Sequence, residues 1–172
     1  MAIYTPLNKR EAVRIAEEFG LGDFVSYAGI RNGSVNTHYL LETKRGRFFI
    51  KIDEIKSEIE VKQELELLFY LKRQGCPCLQ PIKSKKGKYY LEFHGKYLSV
   101  SRHMDGAELP VEAPTSNQLE VLGHTLADLH LIGRGYKKGI DNRFGFTKIV
   151  TIYREVRRQL PSHLKNIVRV LD

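Results

Sequence analysis

Hydrophobic and polar positions change their period along the chain, and each change marks a predicted element. Residues 9–19 carry apolar side chains on one helical face after Asn8 and Glu11, a pair typical of a capping box, which predicts a helix. The sequence then predicts strands in three short segments rich in aromatic and β-branched residues: 25–30, 37–43 and 47–52. Lys44-Arg45-Gly46 predicts a tight turn between the last two strands.

The helical period returns over residues 57–73, where Ile59, Leu65, Leu68 and Phe69 recur between charged positions. Strand texture follows at 87–93 and 96–104, with His94-Gly95 as the turn between them. The predicted order is therefore three strands, one helix and two strands. The simplest arrangement is a five-stranded antiparallel sheet with one inserted helix.

A looser stretch with Pro110 and Pro114 follows the second group of strands and predicts a linker. Beyond it, Ser116 is predicted to cap a helix that runs through His130, and Pro161 separates two further predicted helices. These last helices cover 147–160 and 162–171. The predicted domain organisation is a strand-rich lobe at 1–104, a linker at 105–115 and a helical part at 116–172.

Composition and charge limit the class of protein. Apolar residues make up 42% and charged residues 28%, as in soluble globular proteins, and we expect a cytoplasmic protein because neither a signal peptide nor a long apolar run is present. The net charge is +8, and from Arg134 onward ten basic and three acidic residues contribute +7 of it. The favoured explanation is the solvated basic face of an amphipathic helix. The alternative is a non-catalytic module whose basic helices bind nucleic acid or an acidic partner.

Several short segments together resemble one family of small-molecule kinases. The sequence is similar to the aminoglycoside phosphotransferase, choline kinase and homoserine kinase family, and closest in texture to its homoserine kinases, through these segments: Tyr27-Ala28-Gly29-Ile30, Gly33-Ser34-Val35-Asn36-Thr37, Gly75-Cys76-Pro77-Cys78, Leu122-Gly123, Leu126-Ala127 and Leu129-His130. The resemblance implies an α+β fold, with a protein-kinase-like small lobe followed by the first helices of an α-helical large lobe. It also implies ATP and Mg²⁺ as cofactors.

The segment from Gly29 to Thr37 corresponds, in that family, to the loop above the nucleotide phosphates. Gly29 and Gly33 lack a β-carbon, so their backbone amides can approach an anion, and Ser34 and Asn36 can add hydrogen bonds. Without the resemblance, the same segment is also compatible with an ordinary turn between strands.

Lys51 interrupts the apolar strand Phe48–Ile52. The resemblance implies that Lys51 binds the α- and β-phosphates and that Glu64 of the next helix holds it, although Glu60 and Glu66 are open alternatives. A lysine on the solvated face of an alternating strand is a common alternative. The resemblance also implies that the backbone near Ser101, Arg102 and His103 pairs with the adenine edge.

Two motifs that the resemblance implies are absent from the sequence. A loop resembling His-Gly-Asp is missing, because His94-Gly95 precedes Lys96, and a motif resembling Asp-Phe-Gly is missing, because Arg143 precedes Phe144-Gly145. We therefore assign no catalytic residue and expect the Mg²⁺ ligands outside this chain. The expectation is a truncated, catalytically incomplete part of a kinase for a small hydroxyl compound.

The phosphate acceptor is not determined by these residues. Homoserine is favoured by the general likeness of the sequence to homoserine kinases, and it would place the complete protein in threonine biosynthesis. Choline and an aminoglycoside stay open as phosphate acceptors. The expected partners are a nucleotide and this small substrate, with no membrane and with nucleic acid disfavoured. We also expect self-association through apolar helix faces after residue 116.

Overall fold

A computed structural model describes residues 3–31, 35–106, 114–139, 142 and 145–161. The chain divides into two compact units, Met1–Lys137 and Lys138–Asp172, which are described separately. The first unit contains α1 (Lys9–Glu18), β1 (Phe24–Ile30), β2 (Thr37–Thr43), β3 (Gly46–Asp53), α2 (Glu58–Arg73), β4 (Leu91–Phe93), β5 (Lys96–Arg102) and α3 (Ser116–Gly133); the second contains α4 (Phe146–Gln159).

The strands form one antiparallel sheet in the order β1-β2-β3-β5-β4. The predicted five-stranded sheet with α2 inserted between β3 and β4 is confirmed. β4 is shorter than the predicted 87–93, because Gly87 adopts a φ of +81° and closes a turn by donating to the carbonyl of Ser84. The tight turns before Gly46 and at His94-Gly95 lie where the sequence places them.

The larger core lies between the sheet and α1. Ile15 and Phe19 of α1 are buried in the same cluster as Ile50, Ile52 and Leu98 of the two central strands. The predicted capping box starts α1, with Asn8 and Glu11 exchanging side-chain and backbone hydrogen bonds. This packing occupies one face of the sheet and leaves the opposite face for other contacts.

Helix α2 lies beside that opposite face. Ser57 and Glu60 form the capping box at its start, and Val61 and Leu65 are buried in a second cluster with Tyr90. Ile59, which the sequence pattern placed among the apolar positions of the helix, is 68% exposed. The buried face of α2 is therefore rotated toward Val61.

The N-cap of helix α3 lies one residue before the predicted one. Thr115, not Ser116, is the N-cap, because its side chain accepts a hydrogen bond from the backbone of Gln118 in a capping box. The helix continues past His130 to Gly133, and the hydroxyl of Tyr70 in α2 donates to the carbonyl of Ile132 at 2.9 Å.

The apolar residues of α3 and α4 are largely exposed. Leu119, Leu122 and Leu126 of α3 are each about half exposed, and α4 shows the same for Ile149 and Ile152. The further helix predicted at 162–171 lies outside the described residues. The predicted domain boundaries at 104 and 115 stay predictions, since residues 107–113 also lie outside.

Candidate functional site

Lys51 lies on the central strand β3, on the face opposite the α1 core. It is paired in register with His38 of β2 and Ser99 of β5, whereas its neighbours Ile50 and Ile52 are completely buried on the other face. The strand alternation therefore turns Lys51 toward α2. Its side chain is 16% exposed, so it does not point into open solvent.

Glu64 of α2 is the carboxylate that meets Lys51. The Nζ atom of Lys51 lies 2.5 Å from Oε2 of Glu64. Glu60, one of the alternatives, uses its carboxylate in the capping box with Ser57. Burial alone raises the pKa of Glu64, but Lys51 and Lys56 outweigh it, and the net pKa lies below the usual value of 4.5.

Two further charges complete the cluster, and sequence reasoning missed both. Asp53, the last residue of β3, is 1% exposed, and its Oδ2 lies 3.1 Å from Nζ of Lys51. Lys56, in the connection to α2, lies 2.8 Å from the same Oε2 of Glu64 and 3.5 Å from Asp53. Burial lowers the pKa of Lys56, but its bonds to Glu64 and Asp53 raise it more, so the net shift is upward. Two lysines and two carboxylates thus converge below the sheet.

His38 is another residue of this face that the sequence did not single out. Its ring stacks on Phe49 with centroids 5.0 Å apart. Burial lowers the pKa of His38 below 6.5, and the neighbouring charge of Lys51 lowers it further. The sequence could have indicated both residues. Alternation along a strand puts Asp53 on the same face as Lys51, and pairing of the two neighbouring strands puts His38 there too.

The predicted phosphate turn is only partly described. Gly33 and Ser34 lie outside the described residues, while Gly29 and Asn36 lie at its two ends. The Oδ1 atom of Asn36 accepts a hydrogen bond from the backbone of Glu54 at 3.4 Å, so its side chain helps to fix the turn. A β-carbon at Gly29 would clash with the side chain of Ile3.

The end of the turn is anchored by a buried threonine. Thr37 is 0% exposed, and its hydroxyl accepts from the backbone amides of Tyr4 and Thr5 at 2.9 and 3.1 Å. The same hydroxyl donates to the carboxylate of Glu54, which also pairs with Lys96. The N-terminal segment therefore anchors the Thr37 end of the turn and lies against Gly29 at the other end.

The predicted adenine edge lies at the end of β5. Ser101 is buried and pairs with Phe49, and Arg102 pairs with Phe48. The backbone amide of His103 donates to the carbonyl of Arg47 at 3.1 Å, and its ring lies 3.3 Å from Asp105. Residues 101–103 therefore run beside the start of β3, which is the strand that carries Lys51.

Two other features, a metal cluster and a membrane-spanning helix, are absent from the described residues. These residues contain no group of three or more His, Cys, Asp or Glu side chains arranged to hold a metal ion. None of the helices in the same ranges combines the length and the apolar character that a membrane crossing requires.

Solved structures with a similar fold define the class. The chain superposes on a spectinomycin phosphotransferase solved with ADP and spectinomycin, with a TM-score of 0.63 at 15% identity, covering 93% of this chain and 48% of that one. An amicoumacin kinase solved with AMP-PNP and Ca²⁺ gives 0.71 at 16% identity, covering 95% and 51%. The fold is therefore α+β and protein-kinase-like, as predicted.

The sequence comparisons then define the family. The model of the phosphotransferase enzyme family, APH, matches residues 26–167, and the chain belongs to that family. Homoserine kinases of Caulobacter vibrioides and Methylobacillus flagellatus are 33% identical over 138 residues and 28% identical over 145 residues. These matches cover 79% and 84% of this chain, and 43% and 45% of the relatives. The chain spans less than half the length of these curated relatives.

Proposed function

We propose that this chain forms the nucleotide-binding part of an ATP-dependent kinase that phosphorylates a hydroxyl group of a small molecule. The observation that carries the proposal is the contact of 2.5 Å between Lys51 Nζ and Glu64 Oε2 beneath the sheet. A lysine held in this way by a helix glutamate is suited to bind nucleotide phosphates, because its ammonium is fixed before the ligand arrives.

Other residues supply the remaining parts of the proposed site. Gly29 and Gly33, with Ser34 and Asn36, border the phosphates through backbone amides and short polar side chains. The backbone of Ser101, Arg102 and His103 receives the adenine edge. In this proposal adenine lies at the start of β3 and the phosphates lie toward its end.

Magnesium would neutralise charge on the phosphoryl group when it is bound. The cluster around Lys51 does not fit that ion, because Mg²⁺ prefers free oxygen ligands and ammonium groups engage both carboxylates. No step of the proposed function is therefore derived through the metal. The work of these residues is to bind and orient the nucleotide.

Among acceptors, homoserine is the first choice. The identity to homoserine kinases is 28% and 33%, whereas the spectinomycin phosphotransferase and the amicoumacin kinase are 15% and 16% identical. The proposal places the protein with homoserine-phosphorylating enzymes of the cytoplasm, and an aminoglycoside or choline remains the alternative substrate.

Calorimetric titration of the chain with ATP tests the nucleotide part of the proposal. Lys51→Ala should remove ATP binding, because the phosphate contact is lost. Lys44→Ala is the matched control, since Lys44 lies on the β2–β3 turn, is 73% exposed and forms an ion pair with the exposed Asp23. Equal ATP affinity in both variants would reject the site. Phosphorylation assays on homoserine, choline and an aminoglycoside, with a protein that extends past Asp172, would then decide the acceptor.

A further inference from the structure

Two lysine ammonium groups share a single carboxylate oxygen in the candidate site. Oε2 of Glu64 lies 2.5 Å from Nζ of Lys51 and 2.8 Å from Nζ of Lys56. The buried carboxylate of Asp53 forms ion pairs with the same two lysines at 3.1 and 3.5 Å. The cluster therefore holds both ammonium groups close together and balances their charge.

The environment of Lys56 differs from that of lysines on the surface. Its side chain is 26% exposed, and its partners Asp53 and Glu64 are buried and partly buried. Lys62, within α2, is 54% exposed and pairs with Glu58, whose side chain is 42% exposed. Ordering and partly burying a long charged side chain has a cost, which a surface lysine avoids.

The position of Lys56, just beyond the end of β3, indicates which part of a nucleotide this lysine would meet. Phe49 pairs with Ser101 at the proposed adenine edge, Lys51 lies two residues further along the strand, and Lys56 follows the strand's end at Asp53. A nucleotide that extends from the adenine edge past Lys51 therefore brings its outer phosphates toward Lys56.

We propose that Lys56 is a second phosphate-binding residue, which contacts the outer phosphate of a nucleoside triphosphate while Lys51 binds the inner ones. This inference rests on the proposed function for the direction of the nucleotide. Phosphate oxygens replace part of the carboxylate contact at Glu64, and Asp53 keeps both ammonium groups in place. Two adjacent ammonium groups match the charge of a polyphosphate chain better than that of a single phosphate.

Calorimetry with ligands of different phosphate number tests this assignment. Lys56→Gln should weaken ATP and inorganic tripolyphosphate about tenfold or more, and AMP less than about twofold, because only the outer phosphate loses a contact. Lys51→Gln should weaken ATP and ADP together. Lys62→Gln, which removes the same charge six residues further along the chain, should leave all these affinities unchanged.

A merely structural Lys56 would give a different result. If it serves only as a counter-ion for Asp53, Lys56→Gln will either leave ATP binding intact or weaken ATP and AMP equally, and each outcome overturns the inference. Loss of ATP binding in Lys51→Gln alone rejects the role of Lys56 and leaves the proposed function standing. If the unaltered chain binds no ATP, the proposed function fails. The role of Lys56 is then judged with tripolyphosphate alone. It is rejected if the chain does not bind tripolyphosphate, or if Lys56→Gln leaves that affinity unchanged.

Amine labelling of the unaltered protein removes any dependence on the folding of a variant. Tripolyphosphate should protect Lys56 from an acetylating reagent, as detected by mass spectrometry, whereas AMP should not, and Lys62 should react equally throughout. Unchanged labelling of Lys56 at saturating tripolyphosphate would overturn the inference.

Discussion

Asp53→Asn removes one negative charge from the cluster and preserves the shape of the side chain. Asp53 is 1% exposed and faces Lys51 and Lys56, so the variant leaves two partly buried ammonium groups with Glu64 as their remaining partner in the cluster. The sequence offers a matched control in Asp23→Asn. Asp23 contacts Lys44 at 3.0 Å, almost the distance of 3.1 Å between Asp53 and Lys51, but it is 75% exposed.

The expected magnitude follows from this difference in burial. At an effective dielectric constant of about 20 the Asp53–Lys51 attraction is roughly 5 kcal/mol, and in bulk water the Asp23–Lys44 attraction is roughly 1 kcal/mol. Removing one partner of a buried pair costs roughly 3–5 kcal/mol, and the partial exposure of both lysines reduces this to about 2–3 kcal/mol. The control should lose less than about 0.5 kcal/mol, as exposed pairs do.

Urea denaturation followed by circular dichroism measures both variants. With a denaturant slope of about 2 kcal/mol/M, Asp53→Asn should lower the midpoint by about 1 M and the control by less than about 0.3 M. Equal midpoints for the two variants would show that burial of the cluster does not determine its strength. A more stable Asp53→Asn protein would refute the reasoning outright, because the two lysines would then not need the second carboxylate.

Two further substitutions test the supports of the phosphate turn. Thr37→Val leaves the amides of Tyr4 and Thr5 without their acceptor and should cost about 2 kcal/mol of unfolding free energy in the same urea assay, whereas the exposed Thr151→Val should cost less than about 0.5 kcal/mol. Gly29→Ala should lower the thermal midpoint because its β-carbon meets Ile3, and adding Ile3→Ala should recover most of the loss. An additive double variant would contradict the proposed clash.

The fold was accessible from the sequence because its signals are local. The strand texture, the capping box at Asn8 and the turn before Gly46 each depend on residues a few positions apart, and the structure contains all of them. The exceptions were local as well: Thr115 replaced Ser116 as the cap of α3, and Gly87 shortened β4. In α3 the neighbouring hydroxyl of Thr115 makes the capping hydrogen bond, whereas in β4 a glycine with positive φ forms a turn where the strand was predicted to begin.

The candidate site was accessible only in part. Lys51 is conspicuous because it interrupts an apolar strand, and its helix partner followed from the resemblance. Asp53 and Lys56 lie among several charged residues in sequence, and only the packing of α2 against the sheet brings them to Glu64. Contacts between elements depend on tertiary geometry that no local period records.

His38 provides a spectroscopic test of the cluster that requires no ligand. Its pKa lies below 6.5 because the ring is partly buried and because Lys51 is positively charged. Lys51→Met removes the charge but not the burial, so the pKa of His38 should rise toward 6.5, as measured by NMR titration of its ring protons.

Because the folded pKa is depressed, His38 contributes stability above the unfolded value of 6.5, and that contribution is lost as the pH falls through the folded pKa. Lys51→Met should therefore lose less stability than the original protein between pH 7 and the folded pKa of His38. Lys44→Met, on the exposed turn, should change neither the pKa of His38 nor this loss of stability. A His38 pKa that does not respond to Lys51→Met would mean that the lysine charge does not act on this face of the sheet.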